Sequence, residues 1–482
     1  MISVAFALFL SLSIGLSVST DPENQVKLPD QESRGPIASA YKDVAEKIIQ
    51  ATLAGNDAYE KLTELCDDIG HRPSGSPGLE QAIDWAIAKL QSDGQENVHR
   101  EKVMVPHWVR GRESLTMVQP RAARMPMLGL GGSVGTPPEG ITAPVVVVVD
   151  EDELESLGDG ARGKIVLFNN PMPPYDDEKG SGYGRTVRFR SKGARLAAEK
   201  GAVACLVRSV THRSHRTPHT GAMRYGDAKV KIPAAAITGE DADMLARFQK
   251  RGIEPVVTLK MEAKTLPDAP SANVIAELRG STWPEEIVVI GGHIDAWDAG
   301  QGAHDDGAGC VIAMETINVL RKLNLIPKRT IRVVLWTNEE NGLRGGKQYA
   351  TDHAEELALH VAAIESDSGG FAPVGVSVDC ADEERMHRAE TQLKDLMSLL
   401  EPLGATRVRT GFSGADVSPM KDAGVVLMGH DVDGRDYFDY HHSAADTLDK
   451  VDPTELSRSV AAMATYTYIL ADMPQRLGDA VE

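Results

Sequence analysis

From Ser271 to the C-terminus, short apolar runs rich in Val and Ile alternate with longer stretches of helical spacing, and this alternation limits the fold more than any other feature of the chain. It predicts strands at Ile287–Ile290, Ile331–Trp336, Val361–Glu365 and Val425–Met428. The intervening helices are expected at Gly307 to about Leu323, Gly342–Asp352, Glu384–Leu400 and from Pro453 onward. Unbroken apolar strands are those buried on both faces, and crossovers through helices make them parallel. The expected fold class is therefore α/β, an αβα sandwich around a mainly parallel mixed sheet.

At 482 residues the chain exceeds one ordinary domain. Residues 1–20 carry an apolar stretch from Val4 to Val18, followed by small residues ahead of Asp21-Pro22-Glu23. This is shorter than the roughly 18 to 20 apolar residues that cross a bilayer, and it reads as the signal peptide of an exported protein, secreted or periplasmic. Residues 21–45, with Pro22, Pro29 and Pro36, are expected to be a leader or propeptide, a plain disordered tail being the alternative. Residues 46–125 form the first segment of the main domain. The apolar spacing is helical from Ile37 to about Leu65 and again over Leu79–Leu90, with a loop at Gly70–Gly78 between them. Residues 126–265 change character: Val145–Val149, Lys164–Phe168, Ala202–Val207 and Val256–Leu259 are β-rich runs separated by Gly and Pro, as in an inserted β-rich module. Pro267-Asp268-Ala269-Pro270 is expected to close it as a linker, and residues 266–482 form the main segment. No later stretch is long and apolar enough for a membrane span.

A net charge of -19 argues against nucleic acid as a partner, since phosphate binding needs an excess of Lys and Arg. Cys66, Cys205, Cys310 and Cys380 lie far apart without a Cys-x-x-Cys pair, so they are no disulfide framework. Buried free thiols or a single bridge are the two options left. No asparagine begins an Asn-x-Ser/Thr sequon.

The chemistry gathers where predicted strands end. His293 and Asp295 follow the first strand, where alternation puts both side chains on one side; a carboxylate there is placed to orient the imidazole. Asp305 heads Asp305-Asp306-Gly307-Ala308-Gly309, where an aspartate at a helix entry can offer its two oxygens to two cations. The plain alternative is that Asp305 or Asp306 caps the helix, and both readings hold together if each aspartate takes one role. Glu339-Glu340 follows the strand ending at Trp336, so that one carboxylate, Glu340, serves as metal ligand and the other, Glu339, as general base. Two solvated acids in a helix's first turn are the alternative. Asp367 follows the strand ending at Glu365, and His442 lies in a loop ahead of Asp446-Thr447. Two histidines with three carboxylates, in successive connections of one sheet, suit a pair of zinc ions. His212, His215 and His219 share their run with two arginines and Pro218; they read as a solvated loop and are left outside the site.

These motifs, with Trp297-Asp298-Ala299-Gly300-Gln301-Gly302, Pro218-His219-Thr220-Gly221, Lys231-Ile232-Pro233, Pro327-Lys328-Arg329-Thr330 and Val334-Leu335-Trp336-Thr337, resemble the M28 family of co-catalytic zinc exopeptidases over nearly the whole mature chain. The resemblance implies a phosphorylase/hydrolase-like catalytic domain and a protease-associated-like insert. It also implies two Zn2+ per subunit, one held by His293 and Asp367, the other by Glu340 and His442, with Asp305 bridging. Glu339 matches the general base. Some relatives carry a tyrosine directly before the last ligand histidine; His441 stands there in this chain, so the oxyanion donor is His441, Tyr440 or a zinc itself. The branch with the most similar motifs consists of secreted homodimers that hydrolyse dipeptides with free termini. An aminopeptidase acting on longer peptides, and an inactive receptor-like protein on the same scaffold, are the alternatives.

Overall fold

The strand Trp283–His293 lies near the middle of the first of two eight-stranded sheets, with Arg329–Trp336 and His360–Glu365 parallel to it on either side. The computed structural model describes residues 35–176 and 179–480, so the expected signal peptide, and the leader as far as residue 34, lie outside the described residues. Leu427–Val432 extends the parallel set beyond His360–Glu365. Outside these four strands the directions mix. Lys264–Leu278 and then Glu96–Val109 add antiparallel on one side. Pro373–Asp379 adds antiparallel on the other, with Arg407–Thr410 parallel to it at the far edge. The sheet is thus the mixed, centrally parallel one that the alternation predicts.

Strand alternation sorts its side chains onto two faces. Val288, Ile290, Val333, Leu335 and Ile364 enter one core together with residues of the helices Pro36–Ala54, Ala308–Lys322 and Pro453–Asp472. Ile287, Val289, Val334 and Trp336 enter the opposite core with Tyr349 of the helix Arg344–Asp352. Each buried Val or Ile contributes roughly 1.5–3 kcal/mol, so a one-residue slip of the central strand would exchange both faces and is strongly opposed. The helical run expected from Ile37 to Leu65 is interrupted: Pro36–Ala54 is followed by Ala58–Thr63 and a π turn at Glu64–Ile69. The break comes at Gly55-Asn56, where the Asn56 side-chain oxygen accepts the Ala58 N–H at 3.1 Å and competes with the helical ladder. Among the described residues, no helix is long and apolar enough to cross a membrane.

The second sheet is built from strands between Ala123–Met125 at one edge and Met127–Gly129 at the other, all falling between Glu113 and Met261. Its middle, Ile141–Val148, Ile165–Phe168, Ala204–Arg208 and Ala234–Ile237, is parallel, and the helices Arg188–Glu199 and Gly239–Lys250 lie in its connections. The chain enters and leaves this part through the paired strands Glu96–Val109 and Lys264–Leu278. Pro267-Asp268-Ala269-Pro270, expected to be a linker, belongs to the second of these, with Ala269 opposite Val105 and Pro270 opposite Met104. Arg329–Trp336 joins the other side of that strand only from Val274, so the prolines sit where one neighbour is present and a missing N–H is tolerated. The two parts are also locked by side chains. Trp297, in the loop after His293, enters the core of the second sheet edge-on to Trp108 at 6.3 Å, and Asp298 accepts from Arg110 Nε at 2.9 and 3.0 Å.

Candidate metal centre

The central parallel strands end nearly in register, with His293 beside Trp336 and Gly291 beside Glu365, so the loops that follow them open at one carboxyl edge. His293 ends its strand. Asp305 precedes the helix Ala308–Lys322, and Glu339-Glu340 follow Trp336 after a turn in which Asn338 has a left-handed φ of 63°. Asp367 lies two residues past its strand, and His442 follows the short helix Tyr437–Tyr440.

The structure brings all five expected ligands together. His293 Nε2 is 3.2 Å from Asp305 Oδ1 and 3.5 Å from Asp367 Oδ1. His442 Nε2 is 3.2 Å from Asp305 Oδ2 and 2.9 Å from Glu340 Oε2. Asp305 therefore turns one oxygen toward each imidazole. Glu340 Oε1 and Asp367 Oδ1 are buried and receive no hydrogen bond, which is costly for carboxylates unless a cation compensates them. Burial raises Glu340 to about 7 and lifts Asp367 and, far more, Glu339 above the ordinary carboxylate range. Against burial, hydrogen bonds from His293 and His442 hold Asp305 well below it. Oxygen and imidazole donors in this ratio, with carboxylate oxygens lacking other partners, fit divalent zinc.

A second layer of contacts fixes these groups. His293 Nδ1 lies 2.9 Å from the backbone carbonyl of Asp295, which leaves Nε2 to face the carboxylates. The Asp295 carboxylate itself is 3.7 Å from that ring. It accepts the Glu339 N–H at 3.0 Å and the Ser74 hydroxyl at 3.2 Å. Alternation aligns neighbouring side chains only while the strand continues, and the strand stops at His293. Asp306 takes the capping role, accepting Gly309 N–H and His293 N–H, each at 3.0 Å. Asp446 accepts the backbone N–H groups of His304 at 2.7 Å and Asp305 at 3.2 Å. Arg72, fully buried, donates to the carbonyls of Ile294 at 2.8 Å, Gln301 at 2.7 Å and Gly302 at 3.0 Å, and so shapes the loop between His293 and Asp305.

A cavity of about 840 Å³ opens onto the cluster, with Glu339, Tyr183, Arg190, Tyr437 and His441 in its wall. Of the two side chains expected as oxyanion donors, His441 stacks on His442 at 3.6 Å with its Nε2 3.8 Å from Asp305 Oδ2. Tyr440 stacks on His304 instead and does not line the cavity. His219, expected in a solvated loop, is buried. Its Nδ1 lies 2.7 Å from the His441 carbonyl, its N–H donates to Ser209 at 2.8 Å, and burial holds it down at about 4. The loop turns inward after Pro218 because Ser443 pairs with His219 as a single β-bridge. His215 stays exposed and His212 faces Asp439 at 3.5 Å. Sequence reasoning missed Arg72, Ser74, Tyr183, Arg190, Tyr437 and the role of Asp446; the signals for them are the Gly- and Pro-rich loop that carries Arg72 and Ser74 and the nearness of Asp446 to His442.

An αβα sheet carrying this His and carboxylate cluster at its carboxyl edge defines a metallopeptidase of the exopeptidase kind. The model of Peptidase family M28 matches residues 273–467. The chain is 44% identical over 440 residues to carboxypeptidase Q of Mus musculus, covering 91% of each. The chain belongs to peptidase family M28. A peptidase M28 precursor from Shewanella amazonensis has a crystal structure that superposes with a TM-score of 0.86 at 39% identity, over 91% of this chain and 98% of that one. BSAP, a zinc aminopeptidase from Bacillus subtilis, shares the fold with a TM-score of 0.61 at 19% identity, over 86% of this chain and 94% of that one.

Proposed function

We propose that this chain is a two-zinc exopeptidase that hydrolyses dipeptides or short peptides with free termini; the name of its carboxypeptidase Q relatives supports peptide cleavage at a carboxyl end. The observation that carries the reading is Asp305, with one carboxylate oxygen 3.2 Å from each of two imidazoles that belong to different ligand groups. His293 and Asp367 would hold one ion with it, Glu340 and His442 the other. Bound zinc supplies Lewis acidity, making a water more acidic and polarising a peptide carbonyl. Glu339 takes the proton of the attacking water and returns it to the leaving amine, its carboxyl lining the same cavity as the ligand cluster. Asp295 acts by position, holding the Glu339 backbone. Residues 126–265 then correspond to a protease-associated-like insert between the catalytic segments 46–125 and 266–482. Export, removal of residues 1–20 and a homodimer complete the proposal.

The test is hydrolysis of free dipeptides, N-blocked dipeptides, a tetrapeptide and an aminoacyl-arylamide, with zinc and after chelation. Cleavage of free dipeptides that chelation abolishes and zinc restores is expected. Cleavage mainly of the arylamide and tetrapeptide from the amino end moves the assignment to aminopeptidase, and silence across the panel with zinc bound refutes the enzyme.

A further inference from the structure

We propose that Tyr183, presented by the second sheet's part of the chain and held by Arg190, donates the hydrogen bond that stabilises the oxyanion formed during peptide hydrolysis. The inference rests on the exopeptidase reading above and fills the one role there for which the residue before His442 offers no tyrosine.

Tyr183 lines the same cavity as Asp305, Glu339, Glu340 and Asp367. Arg190 Nη2 donates to its hydroxyl oxygen at 2.7 Å. Among the described residues, no protein acceptor takes the phenolic proton, which leaves it for a ligand. The ring is fixed on two sides, stacked on Phe438 at 4.7 Å and edge-on to His441 at 5.3 Å. Arg190 is itself buried, and its Nη1 lies 3.2 Å from His442 Nδ1, so the hydroxyl it holds belongs to the His442 side of the cluster. Burial keeps the phenol above its usual range, the Glu339 and Asp305 carboxylates act the same way, and Arg190 only partly opposes them; the group stays a donor at neutral pH. A preoriented donor favours the charge that appears only during reaction. The other candidates are less well placed. Tyr440 is stacked on His304 outside the cavity, and the His441 ring lies flat against His442. Tyr437 lines the cavity but has no cation holding its hydroxyl among the described residues.

Tyr183→Phe keeps the ring and removes the donor. The expected result is a fall in kcat of about 100-fold with KM within about twofold, as for loss of one oxyanion donor. Zinc content by mass spectrometry should stay at the wild-type value, and thermal stability should fall only by the loss of Arg190's acceptor. Affinity for a phosphinic dipeptide analogue, whose tetrahedral centre mimics the oxyanion, should fall by a similar factor while affinity for the amino-acid products does not. Wild-type kcat in zinc-loaded Tyr183→Phe overturns the assignment. So does a parallel loss of kcat and analogue affinity found in Tyr437→Phe but not in Tyr183→Phe. Absence of peptidase activity in the zinc-loaded wild type overturns the exopeptidase reading and this assignment with it, which separates the two failures.

Discussion

Gly309→Ala is a substitution whose sign is opposite in a local and in a structural account. Gly309 is the second residue of the helix Ala308–Lys322, and alanine there should stabilise the helix by up to about 1 kcal/mol on propensity alone. A Cβ at this position, however, would stand 1.8 Å from the Ser366 carbonyl oxygen and 2.5 and 2.6 Å from the Asp306 carboxylate oxygens. Real Cβ atoms keep at least 3.0 Å, so the helix start or the Ser366-Asp367 segment after its strand must move by about 1.2 Å, the difference between 3.0 and 1.8. Overpacking of that order costs about 1–3 kcal/mol. Unseating Asp306 from the His293 and Gly309 N–H groups adds about 0.5–1.5 kcal/mol for each of the two hydrogen bonds. The expected net loss is about 2–5 kcal/mol in urea unfolding. Since His293 and Asp367 flank the displaced atoms, kcat for a free dipeptide should fall about 100-fold, the scale of a 1 Å misplacement. Zinc affinity, measured by competition with a chromophoric chelator, should weaken in parallel. Equal or greater stability with unchanged kcat would refute the close-approach argument.

Glu339→Gln should keep wild-type zinc content yet lose about 100-fold to 10,000-fold in turnover; unchanged turnover removes the base assignment. A chain beginning after residue 45 should be at least about 3 kcal/mol less stable to urea than one beginning after residue 34. The longer cut discards buried Ala38 and Ala45, the Tyr41–Asp472 hydrogen bond at 3.0 Å and the Asp395 cap on the Ile37 N–H at 2.8 Å. Equal stability would show that this helix start contributes nothing. His353 lies 2.8 Å from Glu101 and 2.6 Å from Glu356, and although burial opposes it, they raise its pKa from 6.5 to about 9. A folded-state value above the unfolded one stabilises fully below pH 6.5, and the contribution is lost as pH rises through 9. The stability gap between wild type and His353→Gln, about 1–3 kcal/mol at pH 6, should close by about pH 10; a gap that does not change with pH would contradict this.

His293, Asp305, Glu340, Asp367 and His442 were legible because most of them follow an apolar run whose period is visible over a few residues, and parallel strands gather their carboxyl ends. The same reasoning could not find Ser74, whose hydroxyl meets Asp295 across 221 positions, or Asp446, which reaches back 141 positions to the Asp305 N–H. Hydrophobic spacing reports on a turn or a strand and not on which loops meet over a sheet edge. Tyr183 and Arg190 were hidden for the same reason, their partners Phe438 and His442 lying far along the chain, His442 by 252 positions from Arg190. Pro267 and Pro270 misled because proline signals the loss of one N–H, and the cost depends on whether a strand lies on that side. His219 misled because its basic neighbours are exposed while its own ring is buried.

Val109 and Lys264 face each other at the end of the paired strands, so the intervening stretch looks removable by a short turn. Trp297 makes that impossible without consequence. It lies between His293 and Asp305 in sequence, its ring fills the core of the second sheet, and its centroid is 5.8 Å from that of His442. A chimera that joined this first sheet to another protein's insert would have to supply a matching socket, or leave an indole in water on the loop between His293 and Asp305. Exchanging either part alone therefore strips this indole of its socket, and natural variation at the floor of that socket should track variation at Trp297 even where neither residue approaches the substrate.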